Sequence, residues 1–204
     1  MTLILAIILG FGTGVVQQEE APLSVVDGVA LNDALDEILR NVAIAATSGS
    51  DDTDGDRSRT VVVSERSVNG YLSFQGASLL PEGVDDLDVQ MAGDGRVKAS
   101  ATLDLDTLRE QQERGVLDPL RYLSGTVPVV AMAVVRSRDR TIALEVESVH
   151  LGAVPVSRTV LLELVRQFTE SDRYPDGIDL SNVFRLPPGI KAIRVEEGQT
   201  VVVQ

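Results

Sequence analysis

The sequence predicts a single α+β domain in which a curved antiparallel sheet of hairpins packs on two or three helices. Apolar residues recur at helical spacing in three segments, and elsewhere they alternate with polar residues in pairs of segments joined by tight turns. The chain has 204 residues, 44% of them apolar, which is enough to bury one hydrophobic core. These observations together indicate helices packed on hairpins rather than an all-helical or a disordered chain.

The N-terminal residues predict export to the periplasm or cell envelope. Residues 3–11 are almost wholly apolar and Gly12-Thr13-Gly14 follows, a pattern typical of a signal peptide over residues 1–14. No Lys or Arg precedes Arg40, so a retained N-terminal anchor or a hydrophobic strand is the alternative interpretation. Residues 15–25 are interpreted as a linker and residues 26–204 as the domain.

The first half of the domain predicts two helices and one hairpin. An apolar stripe at helical spacing predicts a helix over residues 29–46. A short strand over residues 60–63 leads into a second helix over residues 64–75, which begins at a serine suited to cap it. Alternating apolar residues on both sides of Gly93-Asp94-Gly95 predict a hairpin from Val84 to Leu105.

The second half predicts two further hairpins with a helix between them. The first has strands over residues 126–136 and 140–150, joined by a turn at Ser137-Arg138-Asp139. A serine-capped helix follows over residues 157–169, and the last hairpin spans residues 190–203.

A weak internal repeat links the two halves. Leu80-Pro81-Glu82-Gly83 and Leu186-Pro187-Pro188-Gly189 each follow a serine-capped helix and precede a hairpin. The match indicates either a pseudo-repeated unit or two independent uses of the same turn.

Composition and charge argue against several classes of function. The formal net charge of −13 disfavours nucleic acid and simple electrostatic attraction to anionic lipid headgroups. The absence of cysteine excludes disulfides, thiol catalysis and zinc–thiolate sites, and the single histidine, His150, cannot build a multi-histidine metal site. The acidic run over residues 51–56 fails the EF-hand pattern and is interpreted as a solvated loop rather than a weak cation site.

Catalysis is not expected. No nucleophile, zinc-protease, P-loop or dinucleotide-binding motif is present, so we expect neither an enzyme nor a cofactor. Carboxylates do occur two residues apart on predicted strands, a spacing that suits a solvent-facing strand far better than acid–base chemistry. These pairs are Asp86 with Asp88, Asp104 with Asp106, and Glu145 with Glu147.

The candidate binding site is the strand from Val127 to Val135, which is apolar on both of its faces. In a hairpin one face usually meets water, so something apolar is expected to cover the second face. That cover is either a helix of the same chain or a lipid-like ligand. The expected groove residues, on this second face and on the helix over 157–169, are Val130, Met132, Val134, Leu161, Leu164, Val165 and Phe168.

Three stretches carry a resemblance to a known group of proteins. Residues 63–72 lead into a helix, the hairpin strand Val97 to Leu105 follows, and residues 146–156 read as strand, glycine, small residue, proline and helix. Together they resemble bacterial envelope lipid-binding-like proteins of the LmeA and YpmS type, whose fold is tubular-lipid-binding-like. The resemblance implies a curved sheet around a long helix with an apolar groove, and no catalytic residues. This chain departs from that pattern in being short and poor in aromatic residues.

The sequence therefore predicts an exported, non-catalytic binding protein for a lipid or other apolar ligand, and this prediction allows peripheral association with the envelope. The alternative is a structural or protein-interaction module of the cell envelope with a solid core and no ligand. An enzyme using Asp104 and Asp106 is a remote third reading.

Overall fold

The computed structural model describes residues 22–48, 59–76, 80–110, 124–169 and 174–204. The predicted signal peptide, most of the predicted linker and the acidic run over residues 51–56 lie outside the described residues. Within the described ranges the fold is mixed α+β, as the sequence predicts.

Two of the helices begin at a serine hydroxyl that accepts one of their first free N–H groups. Helix α1 spans Val25–Ser48, α2 Glu65–Phe74, α3 Leu105–Glu110 and α4 Arg158–Thr169. The hydroxyl of Ser64 accepts the N–H of Ser67 at 3.1 Å, and the hydroxyl of Ser157 accepts the N–H of Val160 at 3.3 Å. Both predicted serine caps are confirmed.

The described strands form two antiparallel sheets rather than the single sheet that the sequence led us to expect. The strands are β1 Thr60–Ser64, β2 Val84–Gly93, β3 Arg96–Asp104, β4 Thr126–Arg138, β5 Thr141–Leu151, β6 Val154–Pro155, β7 Phe184–Arg185, β8 Ala192–Glu196 and β9 Gln199–Val203. The larger sheet has the order β2-β3-β4-β5-β6, with β7 also paired to β5, and the smaller has the order β1-β9-β8. The last hairpin is confirmed as a hairpin, but it pairs with β1 instead of extending the larger sheet.

The turn of the middle hairpin ends one residue later than predicted. Val135 pairs with Leu144 and Arg138 with Thr141, so Asp139 and Arg140 form the two-residue turn. Both have positive φ, 50° and 58°, as the tight turns that suit strand twist require. The predicted turn over residues 137–139 correctly included Asp139, but Ser137 and Arg138 belong to the strand and Arg140 belongs to the turn.

The repeated Leu-Pro-x-Gly segments form matching turns. The N–H of Val84 donates to the Pro81 carbonyl and the N–H of Ile190 donates to the Pro187 carbonyl, both at 3.1 Å. Gly83 and Gly189 both have φ of 85°, which a type II turn requires at its third residue. The repeat therefore extends to backbone conformation at the turn, although the hairpins that follow belong to different sheets.

Helices α1 and α2 cross at two glycines. A Cβ atom built on Gly70 would lie 2.5 Å from the Asp27 Cβ and 2.8 Å from the Gly28 nitrogen. Beside this crossing, the Arg66 guanidinium donates to the Asp27 carboxylate at 2.8 Å. The hydrogen bonds from Arg66 and then from Ser24 hold the pKa of Asp27 below its usual value.

Side chains of α2 occupy the outer edge of β2. The Asn69 amide donates to the Val89 carbonyl at 2.6 Å and accepts the Val89 N–H at 2.9 Å, which copies the pairing of a neighbouring strand. One turn earlier, the Glu65 carboxylate accepts the N–H of Met91. The edge strand of the larger sheet is therefore tied to α2 by two side chains on one helical face.

The buried residues form a large and a small cluster. The main cluster joins both helices α1 and α2 to both sheets, with Leu31, Val68, Val97 and Ile193 at most 2% exposed. The small cluster consists of Leu105, Leu108 and Leu151 at the far end of the larger sheet. None of the helices in the described ranges is long and apolar enough to cross a membrane.

Candidate functional site

Strand register places an apolar surface on the face of the larger sheet that meets the core, which we call the inner face. Across β2, β3, β4 and β5 one row of directly paired residues reads Val89, Ala99, Ala131 and Val149. The next row toward the small cluster reads Ala101, Val129 and Leu151. Every residue in these two rows is apolar, so this face presents no polar side chain at its centre.

The centre of the inner face is shallow because its side chains are small. Ala99 and Ala131 lie directly opposite each other on β3 and β4, and both are half-buried. Cross-strand neighbours have Cβ atoms about 5 Å apart, so two alanines leave a low point between larger flanking residues. We call the surface formed by Ala99, Ala101, Val129 and Ala131 the alanine trough.

The alanine trough lies where the two core clusters meet. Ala131 packs against the main cluster, and Val129, two residues earlier on the same face, packs against the small cluster. Val129 is half-buried and Ala101 is 8% exposed. The trough is therefore an apolar surface between two cores, and its middle is not fully covered.

The strand residues predicted from the sequence lie on the opposite, outer face. Val130 is half-buried and contacts the main cluster, Met132 is 36% exposed and Val134 is 6% exposed. They share one face as predicted, but polar residues flank them. Their directly paired neighbours on β3 and β5 are Ser100 and His150, Lys98 and Ser148, and Arg96 and Glu145, respectively.

The four groove residues predicted on the helix over 157–169 belong to α4, which contacts β5, the strand next to β4. Helix α4 packs beside β5, and its Leu161 and Val165 are half-buried. The side chains of Leu164 and Phe168 lie outside the described part of the structure. The groove predicted from Val130, Met132, Val134 and these four residues stays a prediction.

Sequence reasoning missed the alanine trough. Ala99 and Ala101, and Ala131 and Ala133, alternate along two strands, which was a visible signal of a shallow inner face. Their significance depends on the register that sets Ala99 against Ala131, and the alternation within each strand does not give that register.

Comparison with known proteins provides no relative from which a function can be transferred. No protein-family model, curated protein sequence or solved structure matches this chain. The functional assignment therefore depends on the residues themselves.

A concavity of about 660 Å³ lies between α4 and the segment over residues 174–184, and both polar and apolar side chains line it. Across it, the Arg166 guanidinium donates to the Asp179 carboxylate at 2.7 Å. Hydrogen bonds from the Ser181 hydroxyl and N–H, and then from Arg166, lower the pKa of Asp179 to about 2. The N–H of Ile178 donates to the Thr169 hydroxyl at 2.6 Å. These contacts hold the segment against α4, so we interpret them as structural.

In each carboxylate pair at least one member bonds to a neighbouring group; for Asp86 this is the Thr102 hydroxyl, which donates to it at 3.4 Å. Asp104 caps α3, and hydrogen bonds from the Thr107 N–H, the Thr107 hydroxyl and the Asp106 N–H lower its pKa. Asp106 accepts the N–H of Gly125 at 2.8 Å, and Glu145 forms an ion pair with Arg136 at 2.7 Å. Across the described ranges, no cluster of three His, Cys, Asp or Glu side chains is placed to hold a metal ion.

Proposed function

We propose that the protein is an exported, non-catalytic binding protein for a lipid or another apolar ligand, and that the ligand lies in the alanine trough. The proposal is carried by one observation. Ala99 and Ala131, directly opposite each other at the centre of an apolar sheet face, are half-buried at the boundary between two core clusters.

Burial energetics favour an apolar ligand on such a surface. Protein interiors are packed nearly as densely as organic crystals, so an apolar surface between two cores gains from further coverage. Each methylene removed from water contributes about 0.8 kcal/mol. A ligand with about ten buried methylenes would gain about 8 kcal/mol before the cost of association, which suits an acyl chain better than a small polar metabolite.

The proposal agrees with the apolar groove implied by the resemblance to the LmeA and YpmS type. It differs from the sequence-based prediction in the face of the sheet that the ligand occupies. In the outer-face groove, Val130 and Met132 would line the ligand; in the trough, Ala131 would.

Adjacent residues on β4 allow a matched test of the two faces. Ala131→Phe fills the trough, whereas Met132→Phe places the same side chain on the outer face. Each variant is expressed with the full chain and checked for folding by circular dichroism. An organic extract of the purified protein is then examined by mass spectrometry, and binding of a fluorescent fatty acid analogue is titrated.

We expect wild type and Met132→Phe to carry lipid and bind the probe, and Ala131→Phe to lose at least ten-fold in probe affinity. The reverse result would place the ligand on the outer face, as the sequence predicted, and would refute the trough. Wild-type protein without extractable lipid or probe binding would refute the ligand altogether and favour a structural envelope module.

A further inference from the structure

Strand β1 is an outer strand of the smaller sheet, and among the described strands it pairs only with β9. Arg59 and Gln204, at the start of this pairing, exchange backbone hydrogen bonds of 3.0 Å and 2.8 Å. In an antiparallel pair this exchange recurs at every second residue, so Val61 and Val63 also bond to β9. The backbone groups of the residues between them therefore point away from the sheet.

The residues whose backbone groups point away are Thr60, Val62 and Ser64, which we call the open edge of β1. Within the described ranges nothing bonds to Thr60 or Val62 on this side, and only the Ser64 carbonyl has a partner, the Ser67 hydroxyl at 2.7 Å. All three residues of the open edge are exposed, and Val62 is 50% exposed. An edge of this kind can accept a further strand through its main-chain groups.

The open edge carries none of the side chains that commonly block strand addition. The outer edge of β2, by contrast, is bonded to Asn69 and Glu65. Strand β1 contains no charged residue and no proline, and its register with β9 runs without a bulge. Charges, prolines and bulges are the usual protection of such edges, so β1 is ready to pair.

The sequence of β1 reads almost identically in both directions, as a hydroxyl residue, three valines and a hydroxyl residue. A second copy laid antiparallel about Val62 would set Val62 against itself and Thr60 against Ser64. Because all three residues present their backbone groups to this edge, each such pair can exchange hydrogen bonds. The buried Val61 would lie beside Val63 of the second copy and extend the apolar inner row.

The residues that flank β1 are complementary in the same register. Arg59 and Glu65 are equally distant from Val62, so Arg59 of one copy would face Glu65 of the other. Opposite charges that face each other across two strands stabilise their pairing. Each copy carries a net charge of −13, but the Debye length at physiological ionic strength is about 8 Å, so repulsion between distant charges is largely screened.

We propose that the protein forms a two-fold symmetric dimer in which β1 pairs with β1 of a second copy. The two smaller sheets then form one sheet of six strands, in the order β8-β9-β1-β1-β9-β8. An interface built on two short strands is below the roughly 1,200 Å² of a stable complex, so the dimer is reversible, with a dissociation constant on the order of 100 µM. This inference goes beyond the proposed function, because the trough belongs to the larger sheet.

Sedimentation equilibrium of the full chain, at protein concentrations up to about 1 mM and physiological salt, tests the inference. Val62→Lys places two ammonium groups opposite each other on the two-fold axis. Val154→Lys is the matched control, because Val154 is 44% exposed on β6, an outer strand of the larger sheet. Circular dichroism checks that each variant is folded.

We expect wild type to show a monomer–dimer equilibrium. Val62→Lys should weaken the dimer at least about ten-fold, because like charges brought together in an interface oppose association. Val154→Lys should change the dissociation constant by less than about two-fold. The trough variant Ala131→Phe should dimerise as wild type does, which separates this result from the ligand test.

Oxidative cross-linking keeps the test decisive even if Val62→Lys fails to fold. The chain contains no cysteine, so Val62→Cys introduces a single thiol. Bonded pairs of antiparallel strands have Cα atoms about 5.5 Å apart, within the range that a disulfide spans. Val62→Cys should therefore form a covalent dimer on oxidation, and Val154→Cys should stay largely monomeric.

A wild-type protein that is monomeric at about 1 mM would overturn the inference. So would equal weakening by Val62→Lys and Val154→Lys, or cross-linking of Val62→Cys no greater than that of Val154→Cys. A monomeric protein that retains a different polypeptide, and loses it in Val62→Lys, would assign the open edge to a partner of another sequence and overturn self-pairing.

Discussion

Replacing Asn69 by alanine removes the side chain that takes the place of a strand beside β2. Asn69 is 7% exposed, and its amide forms hydrogen bonds of 2.6 Å and 2.9 Å with the carbonyl and N–H of Val89. Val89 is fully buried, so water cannot replace either bond without opening the core. Val89 also stands in the same row as Ala99 and Ala131, so the edge held by Asn69 borders the trough.

The size of the effect follows from the two backbone groups left without partners. A buried polar group that loses its hydrogen bond costs about 1–3 kcal/mol, which gives about 2–6 kcal/mol for the pair. Alanine favours a helix over asparagine by about 0.5 kcal/mol, which offsets a small part. We expect Asn69→Ala to lower the free energy of unfolding by about 2–5 kcal/mol, a large fraction of the stability of a typical domain.

Urea unfolding followed by circular dichroism measures this loss. Asn182→Ala is the control, because Asn182 is exposed and, among the described residues, its side chain forms no hydrogen bond; its backbone N–H donates to the Asp179 carbonyl. The control should change the free energy of unfolding by less than about 0.5 kcal/mol. A loss below about 1 kcal/mol for Asn69→Ala would refute the reasoning, because it would mean that the Val89 groups find other partners.

Two further predictions concern the helix crossing and the segment beside α4. Gly70→Ala should lower the melting temperature and reduce the free energy of unfolding by about 1–3 kcal/mol, because the added Cβ would lie 2.5 Å from the Asp27 Cβ. Helix propensity alone predicts the opposite, so a rise in melting temperature would contradict this prediction. The folded-state pKa of Asp179 is about 2, below the ordinary value of 3.8, so its stabilising contacts are fully present above about pH 4 and are lost as pH falls through about 2. The NMR signal of the Ser181 amide should shift with a midpoint near pH 2 in wild type, and this transition should be absent in Asp179→Asn. A midpoint near pH 4 in wild type would show that the contacts do not lower the pKa of Asp179.

The sequence predicted those parts of the fold that are encoded locally. Ser64 and Ser157 are caps because a hydroxyl within one turn of a free N–H suffices, and the hairpin around Asp94 follows from alternation and a tight turn. The bulge between Asp85 and Asp88, where Asp86 has a positive φ of 51°, was not predicted. A non-glycine residue carries little signal for that conformation.

Features that depend on distant parts of the chain could not be predicted. The pairing of β1 with β9 joins Val62 to Val201, and no local pattern in either strand specifies the other. The buried role of Asn69 depends on the position of the β2 edge, which is set by the tertiary structure.

The candidate site could be predicted only in part from the sequence, for the same reason. The apolar character of both faces of β4 was visible in the sequence, but which face borders the two cores depends on packing.

The contacts of α2 with β2 also affect how the protein behaves at high concentration. A strand at the border of a sheet can template the addition of another polypeptide, which is a common route to aggregation. Asn69 already occupies the N–H and carbonyl of Val89, Glu65 accepts the N–H of Met91, and the N–H of Gly198 donates to the Met91 carbonyl. Two helical side chains thus protect this border from intermolecular strand addition, and the colloidal stability of the protein depends on their staying in place.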